Sequence, residues 1–393
     1  MKTSHNSVLT YCTNIHPGNT WKETIDSFEA NIPQIRKTIG VEEFAVGLRM
    51  GKRPLDELLT DDTLASFGKW LEDNNLFVRS INGFPYGNFH NTVVKDDVHA
   101  PDWTTQDRVN YTLDLVKLLA EILPPNTGGG ISTSPLTYRP WHEDEALERV
   151  YTVCAKNLIQ VLTSLIDLFL STGIEIHVDI EPEPDGLLET SDEFVSFFKA
   201  YLIPIALKEL KDKYQMSDEE VIASLKRHIT VCFDVCHFAV VFEDVKKALA
   251  NFQKEGIRIG RVQISAALEA RTEEEYEHML NLDEPTYLHQ VAIKDENGGI
   301  TRSNDLNQQT VSFRQGAMAR THFHVPIFEE KYQYLHSTQS EIVSTLSAWK
   351  KSPFTEILEV ETYTFDVLDQ SKRLNLQTSI VRELEWASKI LKD

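Results

Sequence analysis

Short runs of β-branched and apolar residues alternate along this chain with longer stretches whose apolar positions recur every three to four residues. The short runs predict strands at Val8–Ile15, Phe44–Arg49, Phe77–Gly83, Gly130–Ser134, Ile174–Ile180, Ile229–Phe233, Arg261–Ser265 and Glu356–Glu361. The longer stretches between them predict helices, among them Trp21–Ile39, Asp107–Leu123, Glu143–Thr172, Glu193–Lys213 and Phe242–Lys254. Capping residues precede two of these, Thr104-Thr105 before Asp107 and Ser191-Asp192 before Glu193. Eight strands alternating with helices predict an α/β fold, a closed parallel (β/α)8 TIM barrel. An open doubly wound sheet fits less well. No Gly-x-Gly-x-x-Gly loop follows the first strand, and Gly128-Gly129-Gly130 precedes a strand instead of opening a helix.

One segment departs from the alternation. Between Ser265 and Glu356 the chain turns polar, including Asp295–Gly299 and Thr301–Gln309, and then gives a strand-like run, His322–Ile327. It reads as an elaborated loop after the seventh strand, an insertion at about 267–319 within a single domain covering 1–393. Loops at that end of a barrel build its active site, so the insertion either covers a ligand or is a plain surface excursion.

Charge narrows the function classes. Asp and Glu number 60 against 39 Lys and Arg, a formal charge of −21, and no basic stretch exceeds Lys226-Arg227-His228. Such a surface repels phosphate backbones and anionic membranes, so neither nucleic acid nor membrane insertion is expected, and a small molecule is the expected partner. No apolar run reads as a membrane span, and the start is too short and polar for a secretory signal, which predicts a cytoplasmic location. Cys12, Cys154, Cys232 and Cys236 are too few for a disulfide scaffold and read as buried thiols. Oligomeric state is not legible.

The chemistry concentrates where strands end, because strand C-termini of a parallel barrel converge on one mouth. The fifth strand ends in Glu181-Pro182-Glu183-Pro184, and the sixth runs into Asp234-Val235-Cys236-His237. The seventh carries Gln263, the following run His322 and His324, and the eighth Glu361. Carboxylates, imidazoles and an amide suit a divalent metal such as Mn, Zn or Mg, and a dication relieves the cost of burying several acids together. Singly, each feature has a plainer reading: a strand-terminal Glu is usually a solvated end, and Asp-x-x-His is usually a helix cap. His177 and Asp179 alternate with apolar neighbours and read as filling a layer of the barrel interior. Glu175, Glu183 and Glu359 read as supporting or surface groups.

These residues resemble the xylose isomerase-like barrel superfamily, in which a Glu, an Asp-x-x-His, a His and a final Glu follow successive strands. Glu181, Asp234 with His237, and Glu361 match by type and order. The phrases Tyr11–Gly18, Cys232–His237 and Glu359–Thr364 further resemble the EboE family of metabolite traffic proteins, over nearly the whole chain. The resemblance implies a metal set of Glu181, Asp234, Glu361 and either Gln263 or His324, since Gln263 stands where the superfamily has His. It also implies a role in handling a secondary metabolite or its precursor.

Three functions follow. The first is a metal-dependent sugar isomerase or epimerase, with Glu181 and Glu361 moving the proton and His237 holding a substrate hydroxyl. Arg49, Tyr86, His90 and Arg139 would contact the substrate, although the arginines read equally as structural ion pairs. Phe84, Tyr86, Tyr138 and Trp141 would wall the pocket or pack in the core. The second is a phosphodiesterase of the endonuclease IV type. The third is a barrel that binds a metabolite without turning it over.

Overall fold

In four of the barrel strands polar residues alternate with apolar ones, and the polar set is the one that meets across the lumen. The computed structural model describes all residues except 4–5, 85, 88–94, 284–287, 308, 310, 364–374 and 393. Seven strands open the chain: β1 (Val8–Tyr11), β2 (Phe44–Arg49), β3 (Leu76–Asn82), β4 (Gly129–Thr133), β5 (Ile176–Ile180), β6 (Ile229–Asp234) and β7 (Ile259–Ile264). Six short strands follow, β8 (Leu268–Ala270), β9 (Val291–Lys294), β10 (Ile300–Ser303), β11 (Met318–Thr321), β12 (Lys331–Tyr332) and β13 (Leu335–Ser337). The last, β14 (Ile357–Val360), returns to the barrel.

The parallel sheet runs β1-β14-β7-β6-β5-β4-β3-β2, as the alternation predicts. Its ends meet at a parallel bridge between Cys12 and Gly47. Threonine hydroxyls stitch this seam. Thr10 Oγ1 donates to the Ala45 carbonyl at 2.6 Å and accepts from the Gly47 amide at 3.1 Å, while Thr13 Oγ1 accepts from the Arg49 amide at 2.8 Å. Only the first four residues of Val8–Ile15 form a strand; Thr13–Ile15 is a 3-10 turn at the mouth.

The outer helices follow their predicted spans closely. Trp21–Ile39 begins with a capping box between Thr20 and Glu23. The Ser191–Phe197 helix is capped by Thr190, one residue before the predicted pair. Asp144–Thr172 corrects one expectation: by length and composition it does reach a membrane span. In this fold it packs against its neighbours instead, burying ten residues of Leu147–Thr172, and the Tyr214 hydroxyl donates to the Thr163 carbonyl at 3.1 Å.

The insertion after β7 is more ordered than a loop. It folds into an antiparallel sheet in the order β10-β9-β11-β8-β13-β12, spanning 268–337 and so exceeding the predicted 267–319. The run His322–Ile327 is not a strand; β11 ends at Thr321, and the following residues cross the barrel mouth as irregular chain. Val325 N donates to the Ala266 carbonyl at 3.0 Å, and Ile327 N to Glu383 Oε1 at 3.1 Å in the last helix, Leu376–Lys392. Leu268, Ile293, Phe323 and Ile327 of the insertion share one continuous apolar cluster with the barrel core.

Candidate metal centre

The lumen is filled by charge rather than by branched apolar side chains. Arg261 on β7 is fully buried and donates to Asp179 Oδ2 at 3.0 Å, to Glu359 Oε1 at 3.4 Å, and to the carbonyls of Ile81 and Gly130 at 3.0 and 2.6 Å. His177 Nδ1 and Thr230 Oγ1 also contact Asp179, and Ser80 contacts Glu359. Burial opposes ionisation of Asp179, but His177 and Arg261 outweigh it and hold its pKa low. A Cβ at Gly130 would collide with His177 and Asp179, and one at Gly260 with Asp179 and Thr230.

One layer toward the mouth, the alternation puts Glu181, Asp234, Gln263 and Glu361 side by side. Oxygens of Glu181, Asp234 and Glu361 lie within 4.8 Å of one another, all buried. Glu361 is fully engaged: Asn14 and Asn82 donate to Oε1 at 2.8 and 3.0 Å, and Gln263 Nε2 donates to Oε2. The same Gln263 nitrogen lies 3.3 Å from Asp234 Oδ2. Asp234 also caps the short helix Val235–Val240, accepting from His237 N at 3.0 Å and from Ser265 Oγ at 2.7 Å. Glu181 differs: its Oε2 is buried with no hydrogen-bond partner among the described residues.

Beside this set, three imidazoles converge. His237 Nε2 lies 3.1 Å from His322 Nε2, which lies 3.2 Å from His324 Nε2. Asp234 Oδ2 is 3.9 Å from His237 Nε2 and 4.0 Å from His324 Nε2, so it borders both sets. Each Nδ1 is already committed to an acceptor: His237 to the Pro182 carbonyl at 3.0 Å, His324 to the Glu361 carbonyl at 3.0 Å, and His322 to Gln290 Oε1 at 2.7 Å. Gln290 Nε2 donates to the Pro184 carbonyl at 3.1 Å, which fixes the amide so that its oxygen faces His322. Neutral rings with hydrogen on Nδ1 present bare lone pairs at Nε2, and three such pairs repel unless a cation lies between them. Two nitrogens on a tetrahedral ion with bonds of about 2.0–2.1 Å would stand roughly 3.3 Å apart, close to the spacings found.

The electrostatics agree with this fit. Burial, and then Glu361, Asp234 and Glu183, push the Glu181 carboxyl well above its ordinary range. Burial, then Asp234 and Glu359, do the same to Glu361. Burial lowers His237 and holds His324 down at about 4; for His322, burial and the neighbouring His237 and His324 depress the pKa well below its usual value. Crowded acids that resist ionising, beside imidazoles that resist protonation, are what a bound dication would reverse. Glu181, Asp234 and Glu361 would hold one ion, and His237, His322 and His324 a second, with Asp234 between them.

Glu181, Asp234, His237, Gln263, His324 and Glu361, separated by up to 180 positions in sequence, thus come together. Of the predicted substrate contacts, Arg49, Tyr86 and Arg139 have other partners. Arg49 donates through Nη2 to the Gly87 carbonyl, and Tyr86 packs edge-on against Tyr111 with ring centroids 5.1 Å apart. Arg139 donates to the His142 carbonyl at 2.6 Å and pairs with Asp144 at the surface. Arg139 thus makes an ion pair of the kind the alternative reading expects, while Arg49 turns to a backbone carbonyl. His90 lies outside the described residues. Of the three supporting acids, Glu359 lies in the lumen and Glu175 pairs with Arg258 at the opposite end of the barrel. Glu183 instead enters the centre, with Oε1 3.7 Å from His322 Nδ1 and Oε2 buried without a partner among the described residues.

Sequence reasoning missed Asn14, Asn82, Ser265 and Gln290. Ser265 and Asn82 were findable, being the next inward positions after Gln263 and Ser80; Asn14 lies in a three-residue 3-10 turn and Gln290 in irregular chain, neither of which a periodicity marks. All four cysteines are buried and free, and Cys236 lies beside His322 and His324.

Sequence comparison gives no match to a family profile or to a curated protein. Solved structures do match. A xylose isomerase-like TIM barrel protein from Mycobacterium smegmatis, in complex with magnesium, aligns with TM-score 0.51 and 11% identity over 100% of this chain and 98% of its own. The IOLI protein with a bound zinc atom aligns with TM-score 0.50 and 10% identity, covering 98% of each chain. The order of eight parallel strands and these two alignments together give this chain the fold of the xylose isomerase-like TIM barrels.

Proposed function

We propose that this protein is a divalent-metal-dependent isomerase or epimerase acting on a small polyhydroxylated metabolite. The observation that carries the reading is the pair of donor sets sharing Asp234 at the barrel mouth. Gln263 faces two carboxylates with its amide nitrogen, so it positions them, and His324 completes the donor set. Zn or Mn suits the imidazole set, and Mn or Mg the carboxylate set. When bound, such an ion supplies Lewis acidity that draws charge from the oxygens of a hydroxy-carbonyl substrate.

The chain's own groups divide the remaining work. Glu181 Oε2, which has no hydrogen-bond partner among the described residues, is the oxygen that takes and returns a proton. Glu361, with three amide donors on its two oxygens, holds position. His237, tied at Nδ1 to Pro182 O, is a ligand and not the holder of a substrate hydroxyl. The surroundings favour a neutral substrate: Arg302 pairs with Glu189, Lys95 with Asp305 and Arg139 with Asp144. We read barrel and insertion as one cytoplasmic domain, and the resemblance to EboE-type proteins supports a substrate from a secondary-metabolite precursor pathway.

The test is metal content by elemental mass spectrometry on protein purified without chelator, followed by deuterium exchange of ketose carbon-bound hydrogens in D2O. Exchange that needs the metal and is lost in Glu181→Gln supports the reading; metal-loaded protein that exchanges no ketose hydrogen overturns it. A metal-dependent phosphodiesterase is the second reading, favoured by the three converging imidazoles. Hydrolysis of bis(4-nitrophenyl) phosphate without ketose exchange would select it. Metal and ketose binding with neither activity would select a metabolite-binding barrel.

A further inference from the structure

His99 stands in a 3-10 turn, Lys95–His99, after β3, and none of its surface reaches solvent. Both ring nitrogens are buried without a hydrogen-bond partner among the described residues. That is costly for an imidazole, which always carries at least one N–H and, when neutral, one lone pair. Other buried histidines avoid the cost: His228 Nδ1 donates to the Ile176 carbonyl at 2.6 Å, and His177 pairs with Asp179.

The surroundings of His99 are those of a binding wall. Its ring stacks on Tyr138 with centroids 5.0 Å apart, tilts against Phe84 at 5.4 Å and meets Trp141 edge-on at 6.2 Å. Arg108 fixes the backbone around it, donating to the carbonyls of Gly83, Phe84 and Pro101 at 2.7, 3.1 and 2.7 Å. Tyr138 in turn bridges to Gly186, directly after the Glu183–Asp185 stretch. Ser134 Oγ, Glu183 Oε2 and Asp185 Oδ2 follow the neighbouring ends of β4 and β5, and each is likewise buried without a partner among the described residues. Orphaned donors and acceptors beside an aromatic wall and a metal centre call for one ligand that carries many hydroxyls.

We propose that His99 is the hydroxyl-recognition residue of the substrate subsite, addressing a polyol laid against Tyr138 and Trp141. This rests on the polyhydroxylated substrate class proposed above and assigns the residue that reads it. Burial, then Arg108 and His237, lower the pKa of His99 to about 3, so the ring is neutral and offers one donor and one acceptor. Those are the two roles a hydroxyl group can match.

The experiment is calorimetric titration of the metal-loaded protein with xylitol and with myo-inositol, using 1,5-pentanediol as the control that lacks neighbouring hydroxyls. His99→Phe keeps the stacking and removes both nitrogens. Its polyol affinity is expected to fall about tenfold, with metal content unchanged. Equal affinity in wild type and His99→Phe overturns the proposal and leaves the isomerase reading intact. A metal-loaded wild type that binds neither polyol overturns both. Polyol binding that depends on His99 without ketose hydrogen exchange supports the proposal while removing the isomerase. Should His99→Phe fail to fold, the ring nitrogen chemical shifts of His99 in the wild type decide: movement on adding xylitol supports it, and no movement overturns it.

Discussion

Arg261 Nε lies 3.0 Å from Asp179 Oδ2 inside the barrel, and neither side chain has any solvent exposure. With Glu359 on its other side, one guanidinium balances two carboxylates directly beneath the candidate metal centre. Removing the cation would leave Glu359 buried without its charged partner and Asp179 with His177 alone. Arg261→Met is therefore expected to destabilise the fold by about 3–5 kcal/mol. Urea denaturation checks this, and a loss below about 1 kcal/mol would show that water reaches the lumen.

Asp234 shares one donor group with Glu181 and Glu361 and another with His237 and His324, whereas His322 groups with Cys236 and His324 and with Glu183 and His237. About two divalent ions per chain are expected in the wild type. Asp234→Asn is expected to lose both, and His322→Ala one. Elemental analysis of the three proteins decides, and equal loss in the two variants would mean a single shared ion.

Burial raises the Glu383 pKa to about 8, although Thr362 Oγ1 and Ile327 N donate to its Oε1 at 2.8 and 3.1 Å. The folded chain therefore keeps a proton here that the unfolded chain releases near pH 4.5. Its stabilising effect is complete below that pH and is lost as pH rises through 8. Glu383→Gln keeps the acceptor without the charge, so it should be more stable than wild type at pH 7, by up to about 3 kcal/mol. The gain should shrink toward pH 5. Paired denaturation curves at pH 5, 7 and 8.5 measure the slope, and a pH-independent difference would contradict it.

Two glycines make a matched pair. Gly130 faces the lumen, where a methyl group would meet His177 and Asp179, while Gly68 lies in the helix Asp61–Asp73 with nothing within 4 Å of an added Cβ. Gly130→Ala is expected to cost at least about 2 kcal/mol, whereas Gly68→Ala should gain as much as about 1 kcal/mol. Thermal melts of both variants suffice.

Much of the barrel was legible because its strands carry two signals at once. Ile176-His177-Val178-Asp179-Ile180-Glu181 sends apolar residues to the helices and polar ones to the lumen, and Arg261-Val262-Gln263-Ile264-Ser265 does the same. Reading the strand ends located Glu181, Asp234 and Glu361, because strand order alone brings them to one mouth. The insertion was harder. Its strands are two to four residues long, below the length at which a period can be recognised, so a six-stranded sheet looked like polar loop. Arg49 and Arg139 were open to two readings for another reason: position after a strand says nothing about which way a long side chain turns, and here both donate to backbone carbonyls.

His322 and His324 reach the centre from irregular chain that continues the antiparallel sheet, while Glu181, Asp234 and Glu361 belong to the barrel. An ion held by His237, which follows barrel strand β6, and by His322 and His324 would rivet two separately hydrogen-bonded sheets together. It cannot leave by a side-chain rotation alone; the sheets must part first. Exchange of the metal should accordingly be as slow as the opening of the insertion, and a protease that finds the segment between Thr321 and Val325 only in the stripped protein would be reporting the same event.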